Sequence, residues 1–151
     1  MRFAWMAAAL LWAGAAGAQQ VDSGQVDACF AAAGPGESAP VCLGQAANAC
    51  ISAGNESTLA SSQCIQSETA AWDAILNREY KALRAELGAR DPALAEMLLA
   101  AQRGWIAYRD AECALEYGRW GDGSLRTIVG ANCMMIETAE RAIELRDKKG
   151  L

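Results

Sequence analysis

Three stretches of the chain repeat apolar residues at helical steps. Ile65, Trp72, Ile75, Leu76, Tyr80, Leu83 and Leu87 form one row, which predicts a first long helix from about Gln63 to Leu87. Ser61 or Ser62 stands ready to cap it, and Gly88 to end it. Asp91-Pro92 then opens a second helix that runs to about Tyr117. The Asp side chain can accept the unpaired N–H groups of the first turn, and proline at the first helical position lacks an N–H that no helical carbonyl would use. Leu94, Leu98, Ala101, Trp105 and Tyr108 lie along its apolar stripe, with Gly118 as the stop. After the loop Gly118–Ser124, Ser124 caps a third helix from Leu125 to about Lys149. Its predicted core side carries Ile128, Val129, Cys133, Ile136, Ala139 and Ile143, and Lys148 and Lys149 suit the negative end of its dipole. No region is β-rich. The expected fold is all-α: a small bundle of three principal helices.

The chain ahead of these helices reads differently. Arg2 precedes an apolar run from Phe3 to Trp12, and Ala16-Gly17-Ala18 is a small-x-small site, so residues 1–18 read as a secretory signal peptide. The run is too short for a membrane-spanning helix, and no membrane span is expected once the signal is cleaved. Residues 19–62 are rich in Gly, Ala, Ser, Gln and Asn. They form an expected N-terminal arm, largely irregular, with short helical turns around Val41 to Ile51. Residues 63–151 are the expected helical domain.

Cysteine usage changes the picture of how the arm is held. The chain has 6 Cys and no His. An even cysteine count behind a signal peptide reads as three disulfides made in an oxidising compartment. Six cysteines allow 15 pairings, and sequence does not choose among them. Consecutive pairing is the preferred expectation: Cys29–Cys42, Cys50–Cys64 and Cys113–Cys133, the last joining the second and third long helices. The absence of His removes His general bases, Ser-His and Cys-His nucleophile pairs and His metal ligands. No Cys-x-x-Cys pair is present, and Asp122-Gly123-Ser124 lacks the ligand spacing of a calcium loop. No metal and no cofactor are expected.

Charge narrows the partners. The formal net charge is -5, and the stretch from Gln19 to Asn77 contains no Lys or Arg while carrying Asp22, Asp27, Glu37, Glu56, Glu68 and Asp73. A basic nucleic-acid footprint is absent. A chain of this sign attracts cationic partners over long range.

Several short signals occur in one order: Trp72-Asp73, Leu76-Asn77 and Tyr80; then Gln102, Trp105, Tyr108-Arg109-Asp110 and Cys113; then Cys133, Thr138, Arg141 and Leu145. This order resembles the lysozyme inhibitor LprI-like family of small bacterial envelope domains, over about residues 50–147. The string Ala101-Gln102-x-x-Trp105-x-x-Tyr108-Arg109-Asp110-x-x-Cys113 carries most of the resemblance, and Thr138-x-x-Arg141 supports it. The resemblance implies a secreted, periplasmic, disulfide-bonded helical domain. It also implies a protein that binds and occludes a lysozyme, a partner that is generally basic. The alternative reading is a general envelope interaction module with no lysozyme target. The chain departs from the family's namesake in having no cysteine at the end of the signal, so no lipid anchor is expected. The Cys29–Cys42 arm looks like an addition to the family core.

For the singled-out side chains, packing is the first expectation. Trp105 and Tyr108 lie one turn apart and are expected to pack on the first helix near Trp72 and Tyr80. Arg109 and Asp110 are expected to pair across helices, for example Arg109 with Glu79 or Asp110 with Arg141. Asn77 and Thr138 fit the same structural role. Glu112 and Glu116 share a helix face, as a glycosidase acid–base pair could, but no cleft or catalytic loop accompanies them, and no enzyme activity is expected. The loop is different. Arg119, Trp120 and Asp122 lie where the helix stripe requires no aromatic, so Trp120 either anchors a partner or folds back over the helix ends.

Overall fold

A computed structural model describes residues 20–150. The expected signal peptide lies outside the described residues. Those residues form five α-helices and no strand: α1 Ser23–Ala32, α2 Gln45–Ser52, α3 Thr58–Arg90, α4 Pro92–Arg119 and α5 Arg126–Asp147. The three principal helices are α3, α4 and α5. The most extensive packing is between α3 and α5, and α4 and α2 lie against them.

Helix ends follow local chemistry, with some differences from the expected ones. α3 starts earlier because Ser57 caps it, its hydroxyl accepting the N–H of Ala60 at 3.2 Å. Ser61 and Ser62 are buried inside the helix instead, each donating its hydroxyl to a backbone carbonyl, of Asn55 and Leu59 respectively. Gly88 does not stop α3. The helix runs on to Arg90 and ends at Asp91, which is extended at φ -158° and ψ 121°. A residue before proline is pushed out of the helical region, so Asp91 both terminates α3 and caps α4, accepting the N–H of Ala93 at 2.8 Å. α4 passes through Gly118, and the chain reverses at Gly121, whose φ of 53° suits glycine. Ser124 caps nothing with its side chain. Its carbonyl accepts from the N–H and hydroxyl of Thr127.

The buried face of α5 is also rotated from the expected one. Met135, Thr138, Ala139, Ala142, Ile143 and Leu145 are buried, whereas Ile128 and Val129 are half-buried and Ile136 is exposed. Two neighbours set this face rather than one, because α5 packs on both α3 and α4. Small residues at Ala139 and Ala142 let a neighbouring helix approach closely.

The arm is more regular than expected: the helical segment expected around Val41 to Ile51 is present as α2, and α1 is an additional helix ahead of it. Its ten-residue α1 is capped by Asp22, whose carboxylate accepts the N–H of Gly24 at 2.8 Å. Val26, Cys29, Phe30 and Ala33 give it an apolar face that joins the main core along with Ala46 and Ala47 of α2. Disulfides join Cys29 to Cys42, Cys50 to Cys64 and Cys113 to Cys133. The first ties α1 to the turn before α2, the second ties α2 to α3, and the third ties α4 to α5.

Charged side chains from the bundle hold both arm helices by their ends. The C-terminus of α1 offers unpaired carbonyls and a partial negative charge. Arg146 of α5 meets them, donating to the carbonyls of Phe30 at 2.8 Å, Ala33 at 3.0 Å and Gly34 at 3.2 Å. The N-terminus of α2 offers unpaired N–H groups and a partial positive charge. Glu68 of α3, only 1% exposed, accepts from Gly44 at 2.8 Å and Ala47 at 2.7 Å. Phe30 then meets Trp72 edge-on, with ring centroids 6.3 Å apart. The guanidinium groups of Arg78 and Arg146 lie over its ring, at 5.6 and 5.1 Å from the centroid.

Candidate functional site

Four of the residues that carry the family resemblance, Gln102, Trp105, Arg109 and Arg141, gather where α4 crosses α5. Arg141 of α5 is buried and donates its Nε to the buried Gln102 Oε1 of α4 at 3.0 Å. Its Nη1 also donates to Glu144 at 2.6 Å. Two guanidinium groups lie over the half-buried Trp105 ring, Arg109 at 5.0 Å and Arg141 at 5.7 Å from its centroid. These contacts combine ring quadrupole attraction with the shared Arg141 charge. The Cys113–Cys133 bridge fastens the same pair of helices. Gln102, Trp105 and Arg141, with the Cys113–Cys133 bridge, therefore act as a clamp between α4 and α5.

The clamp differs from the expected pairings. Arg109 does not reach Glu79; it donates to its own neighbour Asp110, from Nε at 3.0 Å and Nη2 at 2.8 Å. Adjacent helical residues diverge in direction, but a long arginine can lie along the surface and turn back. Asp110 does not meet Arg141, which is taken by Gln102 and Glu144. Glu79 is buried and pairs with Arg78 and Lys149. Thr138 is fully buried and donates to the carbonyl of Met134 at 2.6 Å. Asn77 is exposed and donates to the carbonyl and carboxylate of Asp73. Tyr80 is half-buried, and its hydroxyl finds no hydrogen-bond partner.

Tyr108 also departs from expectation. It is 55% exposed on α4 and stands outside the core cluster. Three carboxylates act on it. Its phenol is pushed up from its ordinary value by the charge of Glu137 first, then by Glu112, partial desolvation and Glu140. Glu137 itself is raised, by burial first and then by the charges of Glu140 and Glu112, with Arg109 opposing. The two shifts share one contribution, the negative charges of Glu112 and Glu140 between α4 and α5, with Arg109 opposing it at Glu137. A cationic surface brought against this region would offset that negative charge.

The loop after α4 leaves Trp120 half-exposed at 47%. Its flanking charges are occupied locally, Arg119 by Glu116 at 2.7 Å and Asp122 by Arg126 at 3.5 Å. Among the described residues no cluster of His, Cys, Asp and Glu could hold a metal ion, and no helix is long and apolar enough to cross a membrane. The largest groove described, about 520 Å³, is open and lies between the arm and α5. Its walls include Pro40, Leu43, Ile65, Ile128 and Met135.

Glu68 and Arg146 escaped the sequence reading. The signal for Glu68 was present: a carboxylate at the step between Ile65 and Trp72 on an otherwise apolar row. Such a residue must find donors or ionise in the core at great cost.

Fold and surface together define a small helical domain, braced by disulfides, that offers a charged outer face. The chain belongs to the lysozyme inhibitor LprI family, whose profile matches residues 50–145. An uncharacterized protein of Rhizobium meliloti (strain 1021) is 35% identical over 94 residues, 56% of this chain and 68% of that protein. No solved structure matches the chain.

Proposed function

We propose that this protein is a secreted, periplasmic inhibitor of lysozyme that works by binding and occlusion. The family membership carries this reading. The surface chemistry supports it. Lysozymes of the common animal type are basic, and the chain has a net charge of -5 with crowded carboxylates beside Tyr108. Complementary charge speeds encounter and orients partners before contact. Occupancy of the lysozyme cleft is sufficient, and no bond need be made or broken by the inhibitor. The loop Arg119–Asp122, with Trp120 half-exposed, is a candidate for one contact. Three disulfides fit the oxidising compartment that the expected signal peptide implies.

The test is lysozyme turnover of cell walls against a titration of the oxidised protein. Saturable inhibition at a fixed stoichiometry is expected. Unchanged turnover with several lysozyme types, at protein concentrations far above that of the enzyme, would overturn the reading.

A further inference from the structure

α4 is a long helix with an unpartnered side. Only Leu98, Gln102 and Cys113 of its 28 residues are buried. Met97, Ala101, Gly104, Tyr108, Ala111 and Leu115 follow one another at alternating steps of four and three, which places them along one stripe. All six are exposed. Ala100, Ala107 and Ala114 run alongside and are exposed as well. No charged residue of α4 interrupts this stripe, on a chain with 21% charged residues, although Met97 and Ala101 at its start share a groove with Arg90, Arg141 and Lys148. An ordinary solvent face of a surface helix carries charge.

We propose that this side of α4 is the seat for the lysozyme, with Tyr108 as its central anchor and Glu112, Glu137 and Glu140 as an acidic edge. The proposal rests on the reading of the chain as a lysozyme inhibitor and adds where the partner sits. Three observations converge on it. The first is the uncharged stripe, which extends about 27 Å from Met97 to Leu115 at 1.5 Å per residue. That length matches the width of a standard interface of about 800 Å² per partner. The second is Tyr108 itself. Packing accounts for Gln102, Trp105, Arg109 and Cys113 in the same segment, and it gives Tyr108 no task. A rigid aromatic among Ala and Gly residues has the form of an interface anchor, with small neighbours that let a partner's backbone come close. The third is the charge along one edge. Glu112 of α4 and Glu137 and Glu140 of α5 all act on Tyr108. This combination of an uncharged centre and an acidic rim complements a basic protein. A second copy of this chain fits poorly, because it would bring a like-charged rim against the first.

The experiment uses the oxidised full-length mature protein and a basic animal-type lysozyme. Binding is measured by calorimetry, inhibition by cell-wall turnover, and self-association by light scattering. The variants are Tyr108→Ala, Ala111→Arg and the pair Glu137→Gln with Glu140→Gln. Val41→Ala is the control: an apolar residue, 90% exposed, on the connection between α1 and α2, neither of which packs extensively on α4. Melting of each variant shows that the fold is kept, and because Tyr108 and Ala111 are both exposed, each checks the other. The proposal expects Tyr108→Ala and Ala111→Arg each to weaken binding about tenfold or more, with Val41→Ala unchanged. The paired neutralisation should slow association. Wild-type protein that binds no lysozyme sinks the inhibitor reading and the seat with it. Wild-type protein that inhibits, with Tyr108→Ala and Ala111→Arg binding equally well, overturns the seat and leaves the inhibitor reading standing. A wild-type dimer that Ala111→Arg dissociates also overturns it, since a second copy would then own the face.

Discussion

The carboxylate of Glu68 on α3 accepts the backbone N–H of Gly44, the N-cap residue of α2, at 2.8 Å. The same carboxylate takes the N–H of Ala47 at 2.7 Å and the indole N–H of Trp72 at 3.1 Å. Three donors converge on a group that is 1% exposed. Hydrogen bonds to a charged acceptor each contribute about 1.5–3 kcal/mol, and the donors left behind after its removal add a desolvation cost. Glu68→Gln keeps the shape but turns an N–H₂ toward backbone donors. We expect it to lower stability by about 2 kcal/mol, and Glu68→Ala by more. Urea denaturation of the oxidised variants checks both values. An unchanged midpoint for Glu68→Ala would show that α2 does not depend on this cap.

Arg146 performs the opposite service for α1. Its guanidinium spans three carbonyls, Phe30, Ala33 and Gly34, while its Nε donates to Asp147 at 2.8 Å. A lysine carries the charge but presents no planar fork. Arg146→Lys should therefore retain only part of the stabilisation, and Arg146→Met should remove about 2 kcal/mol. The loss should be local. Amide exchange in residues 23–36 should accelerate in Arg146→Met while the middle of α3 stays protected. Equal acceleration in both regions would mean that the arm and the bundle open as one unit.

The pKa shifts point to acid destabilisation. Burial opposes ionisation of Glu79, but hydrogen bonds and charge from Lys149 and Arg78 outweigh it and hold the carboxyl below its reference of 4.5. Burial likewise opposes ionisation of Glu144 and Asp147, and their pairing with Lys148 and Arg141, and with Arg146 and Gly36, also wins. A lowered folded-state pKa gives stability that is present above the unfolded value and is lost as pH falls through the folded one. Glu144 and Asp147 are partly exposed, so solvent screens them and Glu79 dominates. Glu137 has the reverse sign: raised in the fold, it contributes stability at low pH that is lost as pH rises through its folded value. Melting temperature should fall on acidification through the carboxylate range. Glu79→Gln should flatten that acid limb, and Glu137→Gln should raise the melting temperature at neutral pH. Parallel acid limbs for Glu79→Gln and wild type would contradict the assignment.

Much of the bundle was legible because its signals are local. Asp91-Pro92 marks the α3–α4 corner, and the apolar row from Ile65 to Leu87 marks α3. α1 carries weaker signals, Asp22 as a cap and the spacing of Val26, Cys29, Phe30 and Ala33. Gly24 and a short, small-residue composition masked it, and its stability comes from partners far along the chain: Cys42, Trp72 and Arg146. The periodicity alone puts Tyr108 in the core, because one helical period fits two adjacent stripes. Only the position of α5, set by packing, separates the half-buried Trp105 side from the exposed Tyr108 side.

The Cys113–Cys133 bridge closes a separation of 20 residues between α4 and α5. Constraining a loop of this size in the unfolded chain stabilises by about 3 kcal/mol. The clamp of Gln102, Trp105 and Arg141 acts at the same helix pair, so the two should couple. The double variant Cys113→Ser with Cys133→Ser should melt lower, and a further Gln102→Ala change should cost more in that background than in the bridged protein. A strictly additive double-mutant cycle would show that the bridge and the clamp work independently.

Salt and Trp120 separate two contributions to inhibition. Screening shortens the reach of charge to about 8 Å at physiological ionic strength. Attraction between the acidic face and a basic lysozyme acts before contact, so added salt should slow association about tenfold or more between low and physiological salt. Dissociation should change little. Trp120 contributes differently. It is half-exposed at the end of α4, just beyond Leu115, and its removal takes away apolar contact area rather than charge. Trp120→Ala should therefore speed dissociation several-fold while leaving both the salt slope and the melting temperature as in wild type. A lower melting temperature with unchanged dissociation would instead assign Trp120 to covering the ends of α4 and α5.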